Sequence, residues 1–175
     1  MALPAWETQS VGDNEAFLYV FKQTLSDCAD QEWSSEINTL SRTSLLSQIK
    51  SCPVQEKYVY ILKHKQLRAS LAKLRCGNHS LMIEKGRHIK LPREDRKSEL
   101  CKNGDIETEE HFVMHCEMLN ELREKYIDHH IVDRNSYAFR KIISSSDSVI
   151  LHDLGNFLCV AFKKRALLLE QAVQV

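Results

Sequence analysis

Residues 67–123 read LRASLAKLRCGNHSLMIEKGRHIKLPREDRKSELCKNGDIETEEHFVMHCEMLNELR, and they contain the spacing Cys101-x9-His111-x4-Cys116. A cysteine, a polar loop with a glycine and then His-x4-Cys are typical of a small zinc knuckle, because zinc prefers thiolate and imidazole ligands gathered by a short loop. Ser98 stands where a Cys-x2-Cys pair would place its first cysteine. The spacing therefore predicts a metal site built from Cys101, His111 and Cys116, with zinc as the expected ion.

The predicted site offers three ligands, whereas structural zinc takes four. On a regular helix five residues turn through about 140°, so His111 and Cys116 converge only if the helix loosens in its first turn. The alternative interpretation is a metal-free remnant, in which Cys116 is a small buried apolar residue and His111 caps a helix or lies on the surface. The candidates for the fourth ligand are Glu99, Asp105, His88, His115, Cys76 and a water molecule.

A longer pattern surrounds the metal motif: R-x-x-L-x-K-L-R, then L-x-I-E-x-G-R, a proline, I-E-x-E-x-H-F and finally L-R. The residues that form it are Arg68, Leu71, Lys73, Leu74, Arg75, Leu81, Ile83, Glu84, Gly86, Arg87, Pro92, Cys101, Ile106, Glu107, Glu109, His111, Phe112, Cys116, Leu122 and Arg123. In this order the pattern resembles the zinc-binding region that follows the polymerase in reverse transcriptases of non-LTR retrotransposons. The resemblance is specific over residues 67–126 and weaker over 33–66 and 127–171.

This resemblance implies a retrotransposon-derived appendage without its polymerase, which would lie in a missing upstream domain. In that family the region is taken to help grip template RNA or target DNA beside the polymerase. The first zinc ligand of the family corresponds to Ser98 in this chain. The resemblance therefore implies a non-catalytic nucleic-acid-binding module or remnant.

Charge is segregated along the chain although the net charge is zero. Residues 57–93, called the basic segment here, carry ten Lys or Arg and one acid, whereas residues 1–56 sum to −5 and residues 94–175 to −4. Such a segment either binds a polyanion or pairs with its acidic flanks. The side chains expected to contact an RNA or DNA backbone are Lys63, Lys65, Arg68, Lys73, Arg75 and Arg87.

The competing interpretation of the basic segment is a solvated face that pairs in part with Glu107, Glu109 and Glu110. The chain would then be a helical protein-interaction module, or an inert remnant, that binds neither nucleic acid nor zinc. Aromatic residues for base stacking are sparse in the segment, which disfavours recognition of single-stranded bases. Contacts with the sugar-phosphate backbone are the better expectation, and the choice between RNA and DNA stays open.

The fold is predicted to be all-α. Three prolines and five glycines among 175 residues leave few breakers, and apolar residues recur at helical spacing. We expect a multi-helix domain with a knuckle-like loop between a long basic helix and an acidic-capped helix. Helices are predicted over 15–27, 30–49, 55–75, 108–126, 135–143 and 149–172, with residues 79–107 mostly loop and a short strand or turn at 80–83.

The chain is predicted to have four parts that share one core. Residues 1–12 form a flexible arm, 13–52 the N-terminal helices, 53–130 the basic helix with the knuckle-like module, and 131–175 C-terminal helices packing on the same core. Six scattered cysteines and no signal peptide predict a reducing, intracellular compartment, nuclear or cytoplasmic.

Catalytic motifs are absent from the sequence, so we expect no enzyme activity and no small-molecule substrate. There is no Asp-Asp pair for a two-metal polymerase, no G-x4-G-K-[ST] loop and neither His-Glu-x-x-His nor Gly-x-Ser-x-Gly. No apolar run approaches the roughly 20 residues of a membrane span, so we expect no membrane partner. Oligomeric state is left open.

Overall fold

The computed structural model describes residues 14–101 and 103–173, and the predicted arm at 1–12 lies outside them. The described ranges contain no β-sheet, only an isolated bridge between Lys97 and Ile106, so the predicted all-α class is confirmed. The α-helices are α1 (Asn14–Thr39), α2 (Ser44–Ile49), α3 (Tyr58–Ile61), α4 (Lys65–Arg75), α5 (Met82–His88), α6 (Asn120–Tyr126), α7 (Ser136–Ile143) and α8 (Ser148–Val173). Short 3₁₀ turns cover Ser41–Thr43, Arg93–Asp95, Glu117–Leu119 and Asp128–His130, and a π-helical turn covers His111–His115.

Helices α4 and α8 lie side by side at the centre of the fold. Leu67 of α4 packs so closely on Gly155 of α8 that a Cβ on the glycine would come within 3.0 Å of the leucine Cβ. Phe112 stacks on Phe162 of α8 at 5.0 Å between ring centroids and meets Phe157 edge-on at 6.4 Å. These aromatic contacts fix the π-helical turn against α8. Among residues 14–101 and 103–173, no helix is long and apolar enough to span a bilayer.

Local signals account for the ends of three helices. Gly77, with φ of +60°, ends α4 in a Schellman motif, in which the N–H of Asn78 donates to Lys73 O at 2.9 Å. Asn135 caps α7 by accepting the N–H of Ala138 at 2.9 Å. Asp147 begins α8 by accepting the N–H groups of Val149 and Ile150. Each signal depends only on neighbours in the chain.

The single basic helix predicted over 55–75 is wrong, because an extended stretch around Leu62 and His64 separates α3 from α4. Leu62 is fully buried, and the break lets its side chain enter the core. The break leaves carbonyl groups without helical hydrogen-bond partners, and Arg68 supplies a partner instead. It donates to Leu62 O at 2.6 Å and to Lys63 O at 2.9 Å. Core burial therefore outweighs helix continuity at this point.

The strand or turn predicted at 80–83 is also wrong, because α5 begins at Met82 within the stretch predicted as loop. Its first turn is capped from far along the chain, since the Met82 N–H donates to a Glu107 carboxylate oxygen at 2.6 Å. Gly86 in the same helix is required by close packing: a Cβ there would lie 2.6 Å from Arg96 Cγ.

The N-terminal helices differ from the prediction in their boundary. Two helices were expected over 15–27 and 30–49, whereas α1 runs unbroken to Thr39 and α2 begins after a 3₁₀ turn. Ile37 and Leu45 are buried, whereas Leu40 is 42% exposed because it lies at the turn between the helices.

The acidic-capped helix predicted from Thr108 to Tyr126 is divided into the π-helical turn, a 3₁₀ turn and α6. Thr108 does act as a cap, since its hydroxyl accepts the N–H of His111 at 3.0 Å. The division matters for the metal motif, because it changes which residues of this segment share a face.

Candidate metal centre

A hairpin carries the first candidate ligand. Residues 96–101 and 103–107, called the knuckle hairpin here, are joined by the Glu107 N–H donating to Arg96 O and the Ser98 N–H donating to Asp105 O, both at 2.9 Å. Gly104 has φ of +76°, a left-handed conformation that favours glycine at this turn. The hairpin turns Cys101 inward, where it is 6% exposed.

The π-helical turn brings the other two ligands onto one side of the chain. The Cys116 N–H donates to His111 O at 2.8 Å, so the hydrogen bond spans five residues rather than four. The wider winding of a π-helical turn brings residue i+5 closer to the side of residue i, which reduces the 140° divergence that a regular α-helix would impose. The loosened first turn that the His-x4-Cys spacing required is therefore present.

Cys101, His111 and Cys116 come together as a buried group. Their ligand atoms all lie within 4.8 Å of one another, and Cys101 Sγ is 3.2 Å from His111 Nε2. Around tetrahedral zinc a sulfur and a nitrogen ligand stand about 3.6 Å apart and two sulfurs about 3.8 Å apart. Cys101 and His111 would therefore move apart by about 0.4 Å to hold a zinc ion, and Cys116 lies close enough to join them.

Burial sets the protonation of the candidate ligands. It raises the pKa of the Cys116 thiol to about 11 and lowers the pKa of His111, whose neighbour Asp105 opposes that shift. The Asp105 carboxylate lies 3.7 Å from His111 Nδ1, on the opposite side of the ring from Cys101. A carboxylate there orients a histidine so that Nε2 faces the metal. Because zinc must displace the Cys116 proton, its affinity at this site should rise with pH.

The fourth position has no histidine, cysteine or carboxylate in place among the residues that the structure describes. Glu99 is held by Lys85 at 2.9 Å and by Arg165 at 3.1 Å. His115 is 43% exposed and lies 3.9 Å from Glu110. Asp105 is engaged with the far side of the His111 ring, so three of the six candidates have other partners.

Two of the remaining candidates, Cys76 and His88, are exposed outside the group. The Ser98 hydroxyl lies in the knuckle hairpin itself and accepts the N–H groups of Leu100 at 3.3 Å and Cys101 at 3.4 Å. Water or this hydroxyl is left to complete a tetrahedral set. The donors thus fit a structural zinc ion with one weak ligand.

Arg123 holds the π-helical turn in shape, a role that the spacing of the ligands did not reveal. Its guanidinium is fully buried and donates to Val113 O at 2.8 Å, to Cys116 O at 2.9 Å and to the Asn120 side chain at 2.5 Å. Burial lowers the pKa of Arg123 to about 10. The only signal for it in the sequence was its place in the longer pattern.

Arg165 joins α8 to the knuckle hairpin. It forms a two-pronged ion pair with Glu107, at 2.9 and 2.8 Å, and both side chains are almost fully buried. The same guanidinium reaches Glu99 at 3.1 Å and the Ser80 hydroxyl at 3.3 Å. Glu107 therefore pairs with α8 rather than with the basic segment.

The basic residues predicted to contact phosphate fall into two groups. Lys63, Lys65 and Lys73 are exposed, and the structure shows no ion pair for any of them within residues 14–101 and 103–173. Lys65 and Lys73 lie two turns apart on the exposed side of α4, opposite its buried leucines. These three lysines are open to a polyanion.

The three arginines of the predicted set are engaged within the fold. Arg75 is 3% exposed, pairs with Glu56 at 3.1 Å and donates to the Ile143 carbonyl at the end of α7. Arg87 pairs with Glu84 at 2.6 Å, and Arg68 bonds the carbonyls that precede α4. Arg68, Arg75 and Arg87 therefore stabilise the fold through internal contacts.

In comparisons with known proteins, the chain matches no protein-family model, no curated protein and no solved structure.

Proposed function

We propose that this chain is a non-catalytic nucleic-acid-binding module, derived from the region that follows the polymerase in non-LTR reverse transcriptases. In this module a zinc ion bound by Cys101, His111 and Cys116 would stabilise the knuckle hairpin. The proposal rests on a difference between the arginines and the lysines of the basic segment. Arg68, Arg75 and Arg87 are engaged internally. Lys63 and Lys65 are exposed and have no carboxylate partner in the part of the chain that the structure describes. Cations that no fold interaction requires are the ones available to phosphates.

The candidate metal centre also supports this proposal. A zinc ion would fix the knuckle hairpin to the π-helical turn, because its protein ligands come from both and are packed into the core. The hairpin also packs on α5, through Arg96 against Gly86. Zinc would thereby hold the part of the basic segment that contains α5 in place.

The test is binding of labelled RNA and DNA duplexes by the triple variant Lys63→Glu, Lys65→Glu, Lys73→Glu, measured by fluorescence anisotropy at several salt concentrations. Each lost phosphate contact should reduce the slope of log K against log salt by about 1. We therefore expect the wild-type protein to bind with steep salt dependence and the variant to lose most of that slope.

The matched control carries the same change of charge elsewhere: Lys22→Glu, Lys125→Glu, Lys141→Glu. These lysines are exposed on α1, α6 and α7. The control should keep the salt slope of the wild-type protein to within about one unit. Equal losses in the two variants, or wild-type binding without salt dependence, would contradict the proposal.

A second candidate function is a helical protein-interaction module, and α1 is the observation that favours it. Five large apolar side chains of this helix are 42–71% exposed: Leu18, Tyr19, Val20, Phe21 and Leu25. Leu18, Phe21 and Leu25 are spaced by three and four residues and share one face of α1, and clustered exposed apolar residues mark contact surfaces. The double variant Leu18→Glu, Leu25→Glu separates the two functions, because it should leave nucleic-acid affinity unchanged and abolish only association through α1.

A further inference from the structure

A second group of metal-ligating side chains lies away from the knuckle hairpin. His129 and His130 are neighbours in the 3₁₀ turn Asp128–His130, and Asp153 comes from α8. His129 Nε2 is 3.1 Å and His130 Nε2 2.9 Å from the same oxygen, Asp153 Oδ2. The three ligand atoms lie within 4.8 Å of one another.

The convergence of two adjacent histidines is unusual and needs a local cause. Consecutive residues of a helical turn point about 100° or more apart, so their rings normally diverge. Here the two rings lie 3.9 Å apart between centroids, both directed at one carboxylate. The turn is held by the His130 N–H donating to Ile127 O at 2.9 Å. Arg134 holds Asp128 in a two-pronged pair at 3.1 and 2.6 Å, so Asp128 is engaged away from the group.

We propose that His129, His130 and Asp153 form a second metal site, which takes a divalent first-row transition-metal ion such as Zn²⁺. Two imidazoles and one carboxylate are ligands that this class of ion prefers. Ligand atoms about 2.1 Å from a shared ion stand about 3.0 Å apart at right angles and about 3.4 Å apart at the tetrahedral angle. The observed nitrogen–oxygen separations match the first value and approach the second.

The site is open to solvent, which distinguishes it from the knuckle site. The side chains of His129, Asp153 and His130 are 50%, 24% and 11% exposed, respectively. Water therefore completes the coordination, and the ion exchanges with the medium. Binding would tie the 3₁₀ turn after α6 to the second turn of α8, so it should raise the melting temperature of the protein.

The experiment measures zinc uptake by equilibrium dialysis in the full chain and in the variants His130→Asn and Asp153→Asn. Changing a residue that only supports a metal ligand lowers metal affinity 10- to 100-fold. Losing a direct ligand should therefore lower the zinc affinity of this second site about a hundredfold. The matched control is His152→Asn. This histidine adjoins Asp153, but its Nδ1 lies 2.7 Å from Ser148 O and it is outside the group. The control should take up as much zinc as the wild-type protein.

Co²⁺ used as a second probe separates this site from the thiolate site. Cobalt bound by Cys101 and Cys116 shows thiolate charge-transfer absorption, whereas cobalt bound by imidazole and carboxylate does not. The proposal is supported if the wild-type protein binds one equivalent of Co²⁺ that adds no charge-transfer band, and if the His130→Asn variant loses that equivalent. It is overturned if the wild-type protein binds no such equivalent, or if all three variants bind it equally. If only the knuckle site fails to bind cobalt, the charge-transfer band is absent but the equivalent that depends on His130 is still bound.

Discussion

Ser98 stands in the knuckle hairpin where a Cys-x2-Cys pair of the proposed zinc site would have its first cysteine. Its hydroxyl accepts the N–H groups of Leu100 and Cys101, as a cysteine sulfur in a metal knuckle does. The variant Ser98→Cys should therefore place a thiolate in the existing turn without rebuilding it. We expect zinc affinity to rise at least about tenfold, since even supporting residues of metal sites change affinity 10- to 100-fold. Competition with a chromophoric chelator measures the change.

The control for this prediction is Ser98→Ala, which removes the oxygen and adds no ligand. If water completes the zinc shell, this variant should bind zinc within about threefold of the wild-type protein, well below the tenfold step. A Ser98→Cys variant no tighter than Ser98→Ala would show that residue 98 does not face the ion.

The ligands could be predicted from spacing because zinc chemistry restricts the residue types and a short loop restricts their separation. Cys101, His111 and Cys116 accordingly lie together in the structure. Which basic side chains stay exposed could not be predicted equally well. Whether Arg75 faces solvent depends on Glu56, which lies 19 positions earlier and reaches it only in the folded chain.

At the scale of elements, the π-helical turn depends on Arg123 more than on its own sequence. The substitution Arg123→Lys keeps the charge but cannot donate to Val113 O, Cys116 O and Asn120 together. Because the site is fully buried, unpaired carbonyls and a misplaced charge should cost about 2–4 kcal/mol of unfolding free energy. Urea denaturation measures this loss, and zinc affinity should fall with it.

Arg134→Lys is the matched control for that substitution. Arg134 pairs with Asp128 near the surface, and its side chain is 37% exposed. The same exchange there should cost no more than about 1 kcal/mol. Equal effects at the two positions would mean that Arg123 does not hold the π-helical turn.

Elements whose ends have local signals were predictable, and those whose ends depend on distant partners were not. Gly77 and Asp147 act through neighbouring backbone groups, so the end of α4 and the start of α8 could be predicted from the sequence. The start of α5 requires Glu107, 25 positions away from Met82. The break before α4 requires Leu62 to be buried in a core that the local pattern does not describe.

At the scale of the whole molecule, Arg165 connects three parts of the chain that are far apart in sequence. It lies on α8, pairs with Glu107 and Glu99 of the knuckle hairpin, and reaches Ser80 before α5. Glu107 in turn caps α5, so one buried ion pair links the knuckle hairpin to the helical core. The knuckle hairpin should therefore unfold together with the helices rather than as a separate unit.

Arg165→Met tests this connection, because it leaves the Glu107 carboxylate buried without its cation. Breaking a buried pair from one side typically costs about 3–5 kcal/mol, whereas Lys164→Met beside it on α8 should change stability by about 0.5 kcal/mol or less. The double variant Arg165→Met, Glu107→Gln removes both charges and should recover part of the loss. Urea denaturation followed by circular dichroism gives the three free energies. If Arg165→Met instead melts the hairpin alone and leaves one unchanged helical transition, the knuckle hairpin and the core fold independently.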